Sequence, residues 1–474
     1  VERPKPQPEY ELVATTKTDR QRSTAQYRKE LLNMKNILIA IRSIFKKGRH
    51  NVMKIVSLGI GLAVGLVLIA KVYFEQSYDD FYPDRDRVYQ VWAKYQQNGG
   101  ELKDYPQTSG GIAPTMQQQI PEIETVTRYT SFGDWTFTMT DTKMKYSGRC
   151  IIADSCFFDI LPRPMLIGNA KEVLSTPMYV LISSRIAKNI GGDVIGKNFT
   201  VDNSPGRTMT IGGVFEEVPE NSHSRYDVIV SMASAGRFMW EGSPTNMLGN
   251  DRYISYVKLH KGVNPLALEE QVRTFVNSYF PPEEQQKVGL SIDFSFHKLD
   301  NLHKELPQVK RMTWILSLLA FALIFTAVMN YILIVISSIV NRSKEVAVHK
   351  CYGASENNIH GMMFGEALVH IVLSLILALL LILAFRGTVE ELLATSLDSL
   401  LLSNGSLVLL GICILVFFVS GFMPGSLYAR IPVASAFRNY RENKRIWKKA
   451  LLLVQFVAFL ICFCVKPSVP FNAS

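Results

Sequence analysis

The sequence has no HExxH pair, no clustering of histidine with cysteine among its eight histidines, and no Gly-x-Ser-x-Gly elbow. Those absences leave zinc-dependent hydrolysis and α/β-hydrolase chemistry without their carriers. Cysteine is scarce and scattered, with six in the chain. Cys413, Cys462 and Cys464 fall in apolar runs, and Cys351 falls in a basic segment. Cys150 and Cys156 share one polar region, where pairing and two free thiols are equally open, and neither has a histidine close enough for zinc. Charge is thin as well, at 19% of residues against 48% hydrophobic, which excludes a single soluble domain of this length.

One stretch looks like a nucleotide loop but lacks a necessary part. Gly191-Gly192-Asp193-Val194-Ile195-Gly196-Lys197 fits G-x-x-x-x-G-K, yet Asn198 stands where a Ser or Thr would hold magnesium. A helical pattern precedes it and a strand pattern follows, the reverse of a phosphate-binding loop. A glycine-bearing turn is the better reading.

Long apolar runs and basic flanks are what the chain does have. Ile55–Phe74, Met312–Ile339, Met362–Phe385 and Ser406–Phe422 are predicted transmembrane helices, the backbone of such a run being satisfied within the helix. Ala450–Val465 is a shorter fifth run, and residues 466–474 do not continue it. The net charge of +10 concentrates beside these runs, in Arg42, Lys46, Lys47, Arg49 and Lys54 before the first and Arg438 to Lys449 before the last. That distribution marks cytoplasmic flanks and contact with anionic lipid, and excludes a nucleic-acid footprint. Residues 386–405 carry Glu390, Glu391 and Asp398 without lysine, as an outer loop would.

Residues 1–33 read as a disordered upstream extension, rich in proline at the start. Residues 34–54 read as a cytoplasmic amphipathic helix, with Ile37, Ile41, Ile44 and Phe45 on one side. Within the first run, Gly61-x-x-x-Gly65 is a weak helix-dimerisation signal, and glycine as an ordinary membrane-helix residue is the better reading. Residues 75–311 alternate strand and helix patterns and form an α+β extracytoplasmic domain, with room for two lobes. Ser109 to Tyr129 in particular reads as a βαβ-like unit. Glu366 and His370 lie four apart on the third helix near its cytoplasmic end, where intramembrane ionisable residues are functional candidates and an interfacial role is the plainer one. Asn330 is placed to hydrogen-bond between helices.

The second run leads into a basic segment, residues 340–361, in which Arg342, Lys344 and Lys350 outnumber Glu345. This fits a short helix with Val346 and Tyr352 on a partner-facing side better than an ordinary juxtamembrane loop that only fixes topology. Gly353 suits a helix C-cap and Ser355 the N-cap of the next helix.

The order Asn330 to Ser355, with Lys344-Glu345-Val346 and then His349-Lys350-Cys351-Tyr352-Gly353-Ala354, resembles the signature of the FtsX-like permease family of MacB-type ABC transporters. The polar region is similar to the MacB-like periplasmic core domain. It matches at Tyr78-Asp79-Asp80-Phe81, Asp154–Phe158, Gly191–Lys197, Gly213–Pro219, Asn221-Ser222-His223 and Leu299–His303. The resemblance implies an α-helical polytopic inner-membrane protein with an inserted outer domain and a cytoplasmic N-terminus. It implies a permease subunit for export or extraction of a drug, peptide or lipoprotein. It gives Arg342, Lys344, Glu345, Val346, Lys350, Tyr352 and Gly353 to a coupling helix that meets a cytoplasmic ABC ATPase dimer. ATP and magnesium then belong to that partner, and the chain itself holds no catalytic residue, metal or cofactor. Residues 423–449 and the fifth run look like the start of a second copy of the unit, so a second permease copy or half is expected as partner, with a periplasmic adaptor and membrane lipid beside it. A membrane receptor with a ligand-sensing outer domain is the alternative, disfavoured because the cytoplasmic pieces are too short for an output domain.

Overall fold

The computed structural model describes residues 51–202, 204–337, 339–401 and 406–429, with a few positions between 449 and 457. It divides into two compact units, Glu75–Lys310 and the described residues on either side of it.

In the outer unit, alternation of apolar and polar residues builds strands whose partners come from far along the chain. Strands Leu290–Lys298, Val88–Gln97, Ile254–Leu259 and Ile123–Met139 lie side by side in that order, each antiparallel to its neighbour. Helices Ile112–Gln119 and Glu269–Tyr279 cover one face, burying Ile112, Met116, Val272 and Phe275 against Val91, Val257, Ile292 and Phe294. This is the split βαββαβ arrangement of ferredoxin-like folds. The expected βαβ-like unit is therefore not contiguous, because Ile254–Leu259 separates its two strands. Local pattern could not show this, since the intervening strand arrives only after a long insertion.

That insertion extends the same sheet. Val180–Ile182 and Val228–Val230 are fully covered runs, buried on both faces, and Cys150–Ala153 pairs in parallel with Val228–Ser231. The long strand Ile123–Met139 runs through both regions and shifts register between Ser131 and Gly133. Gly133 has φ +74° there, a left-handed bulge position that glycine fills without strain.

In the other unit, three helices among the described residues are long and apolar enough to cross a membrane: Asn51–Gln76, Pro307–Ser337 and Asn357–Ala384. A further helix, Ser406–Ala429, carries a shorter apolar stretch, Leu407–Val419. Asn51 to Lys54 are helical as part of Asn51–Gln76, and so belong to the first long helix and not to a separate amphipathic helix. The rest of residues 34–54 lies outside the described residues. So do residues 1–33, 430–448 and the tail, and the fifth run except at isolated positions. Residues 386–405, expected as a loop, contain helices Arg386–Leu393 and Leu397–Leu401. Arg386 ties them, at 2.9 Å from Glu390 and 3.0 Å from Asp398.

The glycines of the first helix are contact points within the chain. A Cβ on Gly61 would sit 2.2 Å from the Ala327 Cβ, and one on Gly65 would sit 2.4 Å from Ile324 Cγ1. Close approach of two helices of one chain thus uses the G-x-x-x-G face that dimerisation would need.

Candidate coupling site

Helix Ile339–Cys351 follows the second long helix after a single residue. Its end is a Schellman motif: the Gly353 N–H donates to Lys350 C=O at 3.0 Å and the Ala354 N–H to His349 C=O at 3.0 Å. Gly353 supplies the left-handed φ of +85° that this reversal needs. Two residues on, the Ser355 hydroxyl accepts the Asn358 N–H at 3.4 Å and starts Glu356–Ala384. The turn between the two helices is thus capped on both sides.

Val346 and Ala347 are each 1% exposed, inside a cluster with Leu58, Ile332, Ile359 and Met363. Val346, expected to face a partner, instead anchors the helix to the bundle. The helical period forces this, because the face holding Val346 and Ala347 is the one turned inward. Val348, Cys351 and Tyr352 lie on the open side, Tyr352 at 89% exposure. Glu345 and Lys350 are partly exposed, and the side chains of Arg342 and Lys344 lie outside the described ones.

Polar contacts join the helices beside this segment. The Lys54 ammonium stands 3.9 Å from the Glu366 carboxylate, and Lys54 is buried instead of forming part of the lipid-facing basic flank. Asn330 accepts from the Gln455 amide at 3.4 Å, in the helix-to-helix role expected of it.

In the outer unit the motifs singled out in sequence converge. Asp79 is fully buried at φ +60°, and its carboxylate accepts from the Ser222 hydroxyl at 3.0 Å and the His223 N–H at 3.3 Å. It also meets His223 Nδ1 at 2.6 Å. The Asn221 amide donates to Ser77 C=O at 2.7 Å. His303 reaches Glu75 at 2.6 Å and stacks on Tyr78 at 3.4 Å between ring centroids. Burial pushes the Tyr78 phenol up to about 12, so it stays protonated as a neutral ring under that histidine. His223 Nε2 lies 3.1 Å from the Ser224 hydroxyl, which has the outline of an Asp-His-Ser triad. Ser224 is only 4% exposed and its hydroxyl is also bonded to Tyr129 at 2.7 Å, so no substrate carbonyl could reach it. The cluster fixes the fold of the entry and exit segments.

Gly191, Gly192 and Gly196 form a turn with φ from +65° to +78°, between helix Ser184–Ile190 and strand Asn198–Val201. Its order of elements is the reverse of a phosphate-binding loop. Cys150 and Cys156 are both free; the Cys156 thiol donates to Val126 C=O at 3.0 Å. No group of three potential ligands for a metal occurs among the described residues.

Comparison with known proteins gives these features a context. Residues 53–275 match the MacB-like periplasmic core domain, and residues 317–433 match the FtsX-like permease C-terminal domain. Three solved structures align with the outer part. A domain of a putative permease protein from Porphyromonas gingivalis is 33% identical, over 46% of this chain and 91% of that one, at a TM-score of 0.42. The periplasmic region of MacB from Actinobacillus actinomycetemcomitans is 15% identical, over 44% and 87%, at 0.29. The extracellular domain of the noncanonic ABC-type transporter YknZ from Gram-positive bacteria is 10% identical, over 44% and 98%, at 0.32. No curated protein matches the chain significantly.

Two tandem family matches around long apolar helices define a membrane component of a transporter with an extracytoplasmic domain. The chain belongs to the FtsX/MacB-type family of ABC transporter permeases, proteins of the inner membrane whose general partner is a cytoplasmic ATPase.

Proposed function

We propose that this permease couples ATP hydrolysis by a separate ATPase dimer to movement of its extracytoplasmic domain, which exports or extracts substrate on the outer side. Helix Ile339–Cys351 is the lever, with Arg342, Lys344, Glu345, Lys350 and Tyr352 meeting the ATPase and Val346 fixing the helix to the bundle. Ser406–Ala429 is a fourth spanning helix, and a second copy or half completes the transporter. ATP and magnesium are bound in the partner, and the chain contributes no cofactor site.

The observation that carries this reading is the rigid form of the lever. It is a helix anchored on one side by Val346 and Ala347, open on the other at Tyr352, and capped at its end by Gly353. A segment that must pass on a push has to resist bending, and this one has no slack at its exit turn.

The test compares Val346→Pro and Glu345→Lys with Lys197→Ala in the outer glycine turn. Proline would remove a helical hydrogen bond and clash with the preceding turn, costing about 3 kcal/mol or more. Reversing Glu345 would remove a charge pairing at the ATPase interface, a loss of about 2–5 kcal/mol when such a pair is buried. Both variants should reach the membrane, because the apolar lengths are unchanged, yet lose the ATPase that co-purifies with the unmodified chain. Lys197→Ala should retain it. Binding and transport at the unmodified level in the first two variants would refute the assignment, and a bound small ligand with no ATPase would point to a receptor.

A further inference from the structure

Several polar side chains meet inside the helix bundle, and the coupling scheme above makes no use of them. Lys54 of the first helix is 1% exposed and Glu366 of the third is 7% exposed, with 3.9 Å between ammonium and carboxylate. The same ammonium donates to Asn51 Oδ1 at 3.2 Å. One turn beyond Glu366, His370 Nδ1 lies 3.3 Å from the Tyr331 hydroxyl of the second helix. A turn further, the Ser374 hydroxyl donates across to Ile55 C=O at 3.1 Å. Three helices are thereby joined by polar contacts with defined partners.

An ion pair buried among apolar helices is a poor source of stability, since desolvation offsets most of the attraction. It is a good source of specificity, because apolar surfaces can slide or turn past one another while a buried charge is held to the polar groups it faces. The residues flanking this pair also belong to the cluster that holds the lever. Leu58 is one turn after Lys54, Met363 is one turn before Glu366, and both share their buried cluster with Val346 and Ala347.

We propose that the Lys54–Glu366 pair is a positioning element that makes the first and third spanning helices answer the coupling helix as one body. The proposal rests on the coupling reading above. Without the pair, the ATPase still docks on the coupling helix, but its push is dissipated by slippage between the helices.

The experiment uses the full chain in nanodiscs with the ATPase that co-purifies with it. Lys54→Met and Glu366→Gln should bind that ATPase with unchanged affinity while its stimulated turnover falls about tenfold, the size of an ordinary coupling between sites. The exchange Lys54→Glu with Glu366→Lys should recover most of the turnover, which a merely space-filling role would not predict. Lys54→Arg, which keeps the charge, should also work if the neutral variants are lost from the membrane. A second readout needs no ATPase: disulfide trapping between Gly59→Cys and Leu377→Cys, neighbours in the structure, should slow in Glu366→Gln. Neutral variants that couple and cross-link normally, or an exchange that recovers nothing, would overturn the proposal. Absence of any ATPase from the unmodified chain would instead refute the coupling reading, leaving the cross-linking result to judge the pair.

Discussion

Both units bury carboxylates, and they set different groups against them. Asp79 in the outer unit takes a hydrogen bond from a backbone N–H as well as from Ser222, beside the ring of His223. Glu366 in the membrane unit faces a lysine on another helix. The difference follows from secondary structure. An irregular loop has spare N–H groups to turn toward a charge, whereas a spanning helix has already used them along its own axis. Glycine divides in the same way. Gly191, Gly192 and Gly196 have positive φ and open space around them, so they serve conformation. Gly61 and Gly65 are helical and would clash on gaining a Cβ, so they serve close approach.

The sharpest way to break this comparison is at Asp79. Asp79→Ala would leave His223 and Ser222 without their buried acceptor and place alanine at a φ of +60°. Losing one member of such a buried pair costs about 3–5 kcal/mol. Thermal unfolding of the purified chain should show the outer unit melting well below its unmodified temperature. An unchanged transition would mean that the network holds nothing together.

Glycine gives the next largest effect. Gly61→Val pushes a branched side chain into Ala327, and overpacking of this kind costs about 1–3 kcal/mol. Gly191→Ala meets no neighbour and bears only the left-handed backbone cost, about 1–2 kcal/mol at most. Melting of the two variants should therefore separate by unit, the first loosening the helices and the second the outer domain. Equal effects in the same transition would refute the division.

What could be read from sequence divides along this line too. The long apolar helices were legible because a long apolar run satisfies its backbone within one helix, and the Gly353–Ser355 turn was legible because its cap residues act locally. The sheet order was not, since Val88–Gln97 finds Ile254–Leu259 across more than half of the outer domain. Val346 looked like a contact residue because its neighbours are charged; only its phase relative to the bundle shows that it points inward. Lys54 counted as a basic flank for the same reason. The signal that could have placed it was available, a lysine within a helix opposite a glutamate in another apolar run, but pairing the two requires the fold.

The smallest effect lies at the outer surface and concerns pH. Asp84 receives Arg87 Nε at 3.0 Å and the Lys258 ammonium at 2.6 Å. The hydrogen bonds from Arg87 and then Lys258 lower its acid to about 2, from an ordinary value of 3.8. A carboxylate depressed on folding adds stability that is fully present above its unfolded value and disappears as pH falls through the folded one. The contribution should thus be constant at neutral pH and vanish between about pH 4 and pH 2. With 36% of the Asp84 side chain exposed, water and salt screen the attraction, which limits the effect to about 0.5–1 kcal/mol. Acid unfolding of Asp84→Asn against the unmodified chain measures it. The variant should be slightly less stable at pH 7 and indistinguishable near pH 2, and raising the salt should narrow the gap at pH 7. The Lys54–Glu366 pair, shielded from solvent, should not respond to salt in that way. A salt response of equal size in Glu366→Gln would show that water reaches the interior of the bundle.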